Sequence, residues 1–275
     1  MPLLDSISVQ SASRRGSSYG SLRLFGSIGY TVISLSGGLL LVALGGITKL
    51  PYLLWAVWVV PFLLLLFLRD EPAEGEGMTL ATLKELFTNK SFLWFLFLVF
   101  IISVPHRMND VMLGLYMKEL GASDSMVGWA WALAAAVEIP IFALLGKYLH
   151  RIHEYVLIGI VGIIYTLRWF MYYVSDDPWV LLALQAGAAI TFAVFWITSM
   201  HYVARILPPQ LGATGFSLLS MVYLGLSGMT GGIVGETVRL VRGASMYLFA
   251  SIASLLGGVL FLATEVLSRR RGRGV

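Results

Sequence analysis

Long apolar runs separated by short polar connections dominate this sequence. A helix that crosses the hydrocarbon core of a bilayer needs about 20 mostly apolar residues. The runs predict about eight membrane-spanning helices, at residues 24–47, 51–68, 92–118, 124–147, 155–174, 178–203, 208–236 and 243–266. The predicted fold class is therefore an all-α integral membrane protein.

Composition supports a chain that faces lipid. Hydrophobic residues make up 58% of the 275 residues and charged residues 12%, whereas soluble domains carry about 25% charged residues. A soluble fold of this length could not hide so much apolar surface. The absence of cysteine excludes disulfides and thiolate metal sites. Without HExxH, GxSxG or P-loop patterns, the sequence predicts no enzyme, metal site or cofactor. The +4 net charge lies in loops and predicts no nucleic-acid surface.

One long polar connection divides the chain. Residues 69–91 are predicted to form a cytoplasmic loop between a two-span front part (1–68) and a six-span rear part (92–266), with a basic tail at 267–275. Lys and Arg concentrate on one side of the predicted spans, which places both termini in the cytoplasm of a cell-membrane protein. Six spans form one half of many two-half transporters. Either the protein is unusual, or the chain lacks its first four spans.

The span at 92–118 carries the most unusual polar cluster. Pro105 removes a backbone donor and is expected to kink the helix. His106, Arg107 and Asp110 follow it, and Arg107 and Asp110 are close enough to pair at a spacing of three residues. A charge within a span costs about 2.5–3.5 kcal/mol on insertion scales. The cluster therefore indicates either a polar cavity or a structural ion pair between helices.

Two further charges lie within predicted spans. Glu138, before Pro140, is a carboxyl in a low-dielectric site, and such a group can exchange protons near neutral pH; the alternative is a neutral acid bonded to another helix. Arg168 cannot discharge and needs an acidic partner, either Glu138, Asp110 or a substrate carboxylate. Gly231 and Gly235 have the spacing of a close helix contact.

Several segments, in order, resemble the lactose permease-like branch of the major facilitator superfamily, which includes nucleoside–proton symporters. The run Tyr19–Tyr30 resembles the start of that branch's fifth helix. Gly146 and Arg151 resemble its loop motif, with His150 where an Asp is usual. The remaining similar segments are 2–6 (the end of helix four), 83–95 (the entry to helix seven) and 207–225 (the loop into helix eleven). The resemblance implies helices five to twelve of a twelve-helix plan.

The resemblance also implies roles for individual residues. Arg168 occupies the position of an arginine used in proton coupling, and Asp110 that of a helix-seven aspartate. Arg23 matches an arginine at the start of helix five, but Ser21 stands where a sugar-binding arginine is expected. The lysine, histidine and glutamate of the permease's tenth helix are replaced here by Gln185, Ala188 and Thr191. Galactoside transport is therefore not expected.

The resemblance implies a secondary transporter that moves a small organic solute together with a proton by alternating access. Glu138, Asp110 and Arg168 are the expected proton-coupling residues. His106, Arg107 and Arg23 are the expected cavity and substrate-binding residues. The expected partners are the solute, H⁺ and the lipid bilayer. The alternative is a module that does not transport by itself, either a fragment or one subunit of a split transporter whose other half is a separate chain.

Overall fold

The computed structural model describes residues 19–44, 49–66, 80–148, 152–242 and 244–270. These residues form α-helices and one π-helical segment, and no strand occurs among them. The helices are α1 (Tyr19–Ala43), α2 (Leu50–Leu65), α3 (Leu80–Thr88), α4 (Lys90–Glu119), α5 (Asp124–Tyr148), α6 (Glu154–Val174), α7 (Pro178–Ile206), α8 (Pro209–Ser220), α9 (Ser227–Arg242) and α10 (Ser245–Arg270), with the π-helical segment at Met221–Leu226 between α8 and α9.

Within the described residues, every predicted span falls on helical structure, so the all-α membrane fold class is confirmed. Five helical runs in the described part are long and apolar enough to cross a membrane: Lys90–Glu119, Glu154–Val174, Pro178–Ile206, Gln210–Leu240 and Ser245–Arg270. The first two predicted spans hold shorter apolar stretches, at Leu24–Ile33 and Pro51–Leu64. The predicted span at 124–147 falls on α5.

Two local features differ from the simple pattern of spans and loops. Helix α3 forms within the long polar connection, where Leu86 is fully buried. Asn89 then separates α3 from α4, and its side chain caps α4 by accepting a hydrogen bond of 3.0 Å from the Phe92 backbone. Helix α4 continues through Pro105 without a break.

Small residues bring the helices of the rear part into close contact. A Cβ atom on Gly162 of α6 would lie 2.6 Å from the Cα atom of Gly258 in α10. A Cβ atom on Gly231 of α9 would lie 2.7 Å from the Met108 backbone nitrogen in α4. In lipid, helices associate through such close packing because the hydrophobic effect no longer favours it. The prediction of close packing at Gly231 and Gly235 is confirmed.

The front part meets the rear part through α1, which packs against α5. Leu24 of α1 joins a small apolar cluster with Ile141 of α5 and Ile197 of α7. By contrast, α2 presents apolar side chains outward, and Trp55 and Trp58 are 78% and 70% exposed. The contact between α1 and α5 forms one wall of a cavity inside the protein.

Candidate functional site

A cavity of about 530 Å³ lies among α1, α4, α5, α6, α7 and the π-helical segment. Its lining contains all five ionisable residues that the sequence places in the middle of spans: His106, Arg107, Asp110, Glu138 and Arg168. These residues come from three helices, and the fold brings them to one place. A mostly helical wall with a few convergent polar groups is typical of a ligand site in a helix bundle.

Helix α4 supplies an ion pair to the cavity. The Arg107 guanidinium donates a hydrogen bond of 2.6 Å to Asp110 Oδ2, which is the pairing that their spacing predicts. His106 Nε2 lies 3.8 Å from the same carboxylate oxygen. The other ring nitrogen of His106, Nδ1, lies 3.0 Å from the Tyr165 hydroxyl of α6. Asp110 therefore faces two basic groups of its own helix at the edge of the cavity.

Glu138 connects the front and rear parts of the chain across the cavity. Its carboxylate accepts a hydrogen bond of 2.9 Å from the hydroxyl of Ser27 in α1. Ser27 is itself buried. The bond between Glu138 and Ser27 depends on the distance between α5 and α1, because a hydrogen bond is lost when its donor and acceptor separate.

Arg168 has a different environment from the one that its charge predicts. It is buried, with 4% of its surface exposed, and its guanidinium lies 4.3 Å from the centre of the Trp169 ring. Its Nη2 donates a hydrogen bond of 2.6 Å to Gln185 Oε1. Within the described part of the chain, neither Glu138 nor Asp110 forms an ion pair with it. The hydrogen-bond partner of Arg168 in α7 is a neutral amide, and its pairing with an acidic group stays a prediction.

Aromatic rings form another wall of the cavity. The Phe192 ring stacks almost parallel to the His106 imidazole at a centroid distance of 5.5 Å. Tyr223, in the π-helical segment, lies next to Phe192 and under the Arg107 guanidinium at 5.7 Å. A π-helical turn inserts an extra residue and is frequent at functional sites. The π-helical segment places Tyr223 against Arg107 and His106. Sequence reasoning missed this residue, because single-turn π segments have no sequence pattern of their own.

Three predicted residues remain, namely Gly146, Arg151 and Arg23. Gly146 lies near the end of α5. Arg151 and the side chain of Arg23 lie outside the described residues, so their roles stay predictions. Ser27 was also missed, because one serine in an apolar run carries no signal until its contact with another helix is known.

A second polar cluster lies away from the cavity, at one end of α6, α7 and α10. The buried Glu154 carboxylate accepts hydrogen bonds from Arg205 Nε and Nη2, both at 3.0 Å, and lies 2.9 Å from His201 Nδ1. Beside it, His153 Nδ1 lies 2.9 Å from Glu265 Oε2. The sequence shows the i,i+4 spacing of His201 and Arg205 but not their shared partner.

Together, the helical fold and the polar cavity define a multi-spanning membrane protein with a cavity among its helices. Residues 1–249 match the MFS_1 like family, and the chain belongs to that family. The match confirms the resemblance at the level of the major facilitator superfamily.

Curated relatives with similar sequences are named as transporters. The uncharacterized transporter YwbF of Bacillus subtilis (strain 168) is 24% identical over 268 residues, covering 94% of this chain and 65% of that protein. The maltose permease of Geobacillus stearothermophilus is 25% identical over 287 residues, or 99% and 69% of the two chains. Sugar efflux transporter A of Dickeya chrysanthemi is 29% identical over 154 residues, or 55% and 37%. The chain spans about two thirds of the length of the first two relatives.

Proposed function

We propose that this protein is a secondary active transporter that moves a small organic solute through the membrane by alternating access, coupled to proton symport. The cavity carries the proposal, because it collects the five ionisable residues that the sequence places in the middle of the spans. Such residues are costly in lipid and mark solute or proton pathways. The transporter names of the relatives support the same activity.

Glu138 and Asp110 are the proposed proton-binding groups. A proton on Glu138 cancels the charge that the Ser27 hydroxyl stabilises, and so weakens the link between α1 and α5. A proton on Asp110 weakens its ion pair with Arg107. The first proton changes a contact between two helices and the second an ion pair within α4, and a ligand shifts a conformational equilibrium only through such differences between the two states.

The proposal is tested with the purified 275-residue chain in sealed vesicles that carry an imposed pH gradient. Labelled maltose and a panel of labelled sugars and organic acids would be offered, and accumulation against a concentration gradient measured. We expect Glu138→Gln to abolish gradient-driven accumulation of the transported solute. Glu236→Gln is the matched control, because Glu236 bonds Arg239 away from the cavity. Unchanged accumulation in Glu138→Gln would contradict the assigned role.

The outward-facing apolar side chains of α2 favour a second arrangement, in which a separate chain completes the transporter. In this arrangement the exposed Trp55 and Trp58 face another membrane helix rather than lipid. Accumulation by the purified chain alone would exclude this arrangement. Activity that appears only in membranes where a second chain copurifies with it would support it.

A further inference from the structure

We infer that the solute is an organic anion, and that its carboxylate binds to Arg168 in the cavity. The inference rests on the proposed function, since it names the substrate class of the same site. The observation behind it is that Arg168 is a buried cation whose donors are mostly unused.

A guanidinium offers five N–H donors and no acceptor. In Arg168, Nη2 reaches Gln185 Oε1, whereas the buried Nε and Nη1 atoms have no hydrogen-bond partner. A buried charge is costly unless it is paired and hydrogen-bonded. The single neutral acceptor supplied by Gln185 is shared, because the Tyr172 hydroxyl also donates to it at 3.0 Å. Within the part of the chain that the structure describes, Arg168 therefore lacks both a counter-ion in direct contact and acceptors for most of its N–H groups.

The carboxylates that line the cavity are already engaged elsewhere. Asp110 is bonded to Arg107 at 2.6 Å, and Glu138 accepts from Ser27 at 2.9 Å. Among the described residues, no Asp or Glu lies within 4.0 Å of Arg168 to form an ion pair. A carboxylate suits Arg168 in charge, and its oxygens accept charge-assisted hydrogen bonds from guanidinium N–H groups. A solute that carries this group would supply the missing counter-ion.

The rest of the cavity suits the body of such a solute. Its volume of about 530 Å³ lies within the range of small-molecule sites. Phe192, Trp131 and Tyr223 contribute aromatic surface to the lining, which favours an apolar or ring-shaped body. A neutral sugar would fill the space but leave the charge of Arg168 without a partner.

The direct test compares acids with their neutral amides. Benzoate and benzamide, and hexanoate and hexanamide, form pairs of nearly equal shape that differ in charge. Binding to the purified 275-residue chain in detergent is measured by calorimetry. We expect each acid to bind at least about tenfold more tightly than its amide, as a gain of one charge-assisted bond implies. Equal binding within both pairs would overturn the inference.

Two variants locate the binding to Arg168. Gln185→Glu places a carboxylate where Arg168 already donates, so it should raise the melting temperature and weaken benzoate binding at least about tenfold. Gln210→Glu is the matched control, since it adds the same charge at an exposed position at the start of α8 and should leave benzoate binding unchanged. Arg168→Lys keeps the charge but loses the fork, and should also weaken binding. Unaltered benzoate affinity in Gln185→Glu would overturn the inference.

Failure of this inference is distinguishable from failure of the proposed function. Suppose the vesicles accumulate a neutral solute and the purified protein shows no preference for acids. This result would overturn the inference of an anionic substrate and support the proposed transport activity. Benzoate binding that depends on Arg168, in vesicles that accumulate none of the solutes offered, would support the anion site and contradict transport by this chain alone.

Discussion

The hydroxyl of Ser27 in α1 donates a hydrogen bond of 2.9 Å to the carboxylate of Glu138 in α5. These residues are 111 positions apart in the chain, and their bond crosses from the front part of the protein to the rear part at the edge of the cavity.

The bond itself can be removed with little change in shape. Ser27→Ala deletes the donor to Glu138 and should cost about 1–3 kcal/mol of stability, because Ser27 is buried and the acceptor can be charged. Accumulation of solute should fall with it. The measurements are thermal unfolding in detergent and vesicle uptake. Ser36→Ala is the control on the same helix, since the Ser36 hydroxyl donates to the Val32 carbonyl of its own helix. Equal effects of the two substitutions would contradict a special role for Ser27.

Close packing between α6 and α10 is sensitive to a single methyl group. In Gly162→Ala, the added Cβ would meet the Gly258 backbone at 2.6 Å, and backbone atoms cannot rotate away. We expect a loss of about 1–3 kcal/mol or more, as for other overpacked sites. Gly187→Ala in α7 is the control, because nothing lies within 4 Å of its added Cβ. The unfolding midpoint of Gly162→Ala should fall below that of Gly187→Ala. Similar midpoints would contradict the close approach of α6 and α10.

The cluster around Glu154 should stabilise the ends of α6 and α7. Glu154→Gln keeps the side-chain shape but removes the charge that Arg205 and His201 share. We expect a loss of about 1–3 kcal/mol, since hydrogen bonds to charged groups contribute about that much; the partial exposure of Arg205 keeps the loss toward the lower end. The readout is the denaturation midpoint. An unchanged midpoint would show that the cluster contributes nothing to stability.

Membrane orientation can be tested directly, because the chain contains no cysteine. The distribution of basic residues places Thr88 on the cytoplasmic side and Ser123 on the opposite side. In intact cells, an impermeant maleimide should label Ser123→Cys and leave Thr88→Cys unlabelled until the cells are opened. Both residues are exposed at helix ends, and the expected cost is limited to weaker capping of α5, because the Ser123 hydroxyl accepts a hydrogen bond of 3.2 Å from the Met126 backbone. The reverse labelling pattern would invert the predicted orientation.

Helix positions and the identity of the charged candidates follow from sequence for a simple reason. Twenty apolar residues in a row have few other solutions than a membrane helix, and a charge in such a run is conspicuous wherever it occurs. The Arg107–Asp110 pair also follows, because it depends only on helical spacing. The partner of Arg168 does not follow, since Gln185 is one of many polar residues in α7 and only packing brings its amide within 2.6 Å.

The sequence by itself thus determined an all-helical membrane protein and the five ionisable residues in the middle of its spans. Only the tertiary structure decided that these residues line one cavity, that Ser27 reaches Glu138, and that Tyr223 turns toward Arg107 from a π-helical segment. The physical reason is the distance along the chain over which each kind of interaction acts. Local hydropathy and helical periodicity act over a few turns of one segment, whereas the site is built from contacts between helices, whose relative rotation and register depend on packing all along their length.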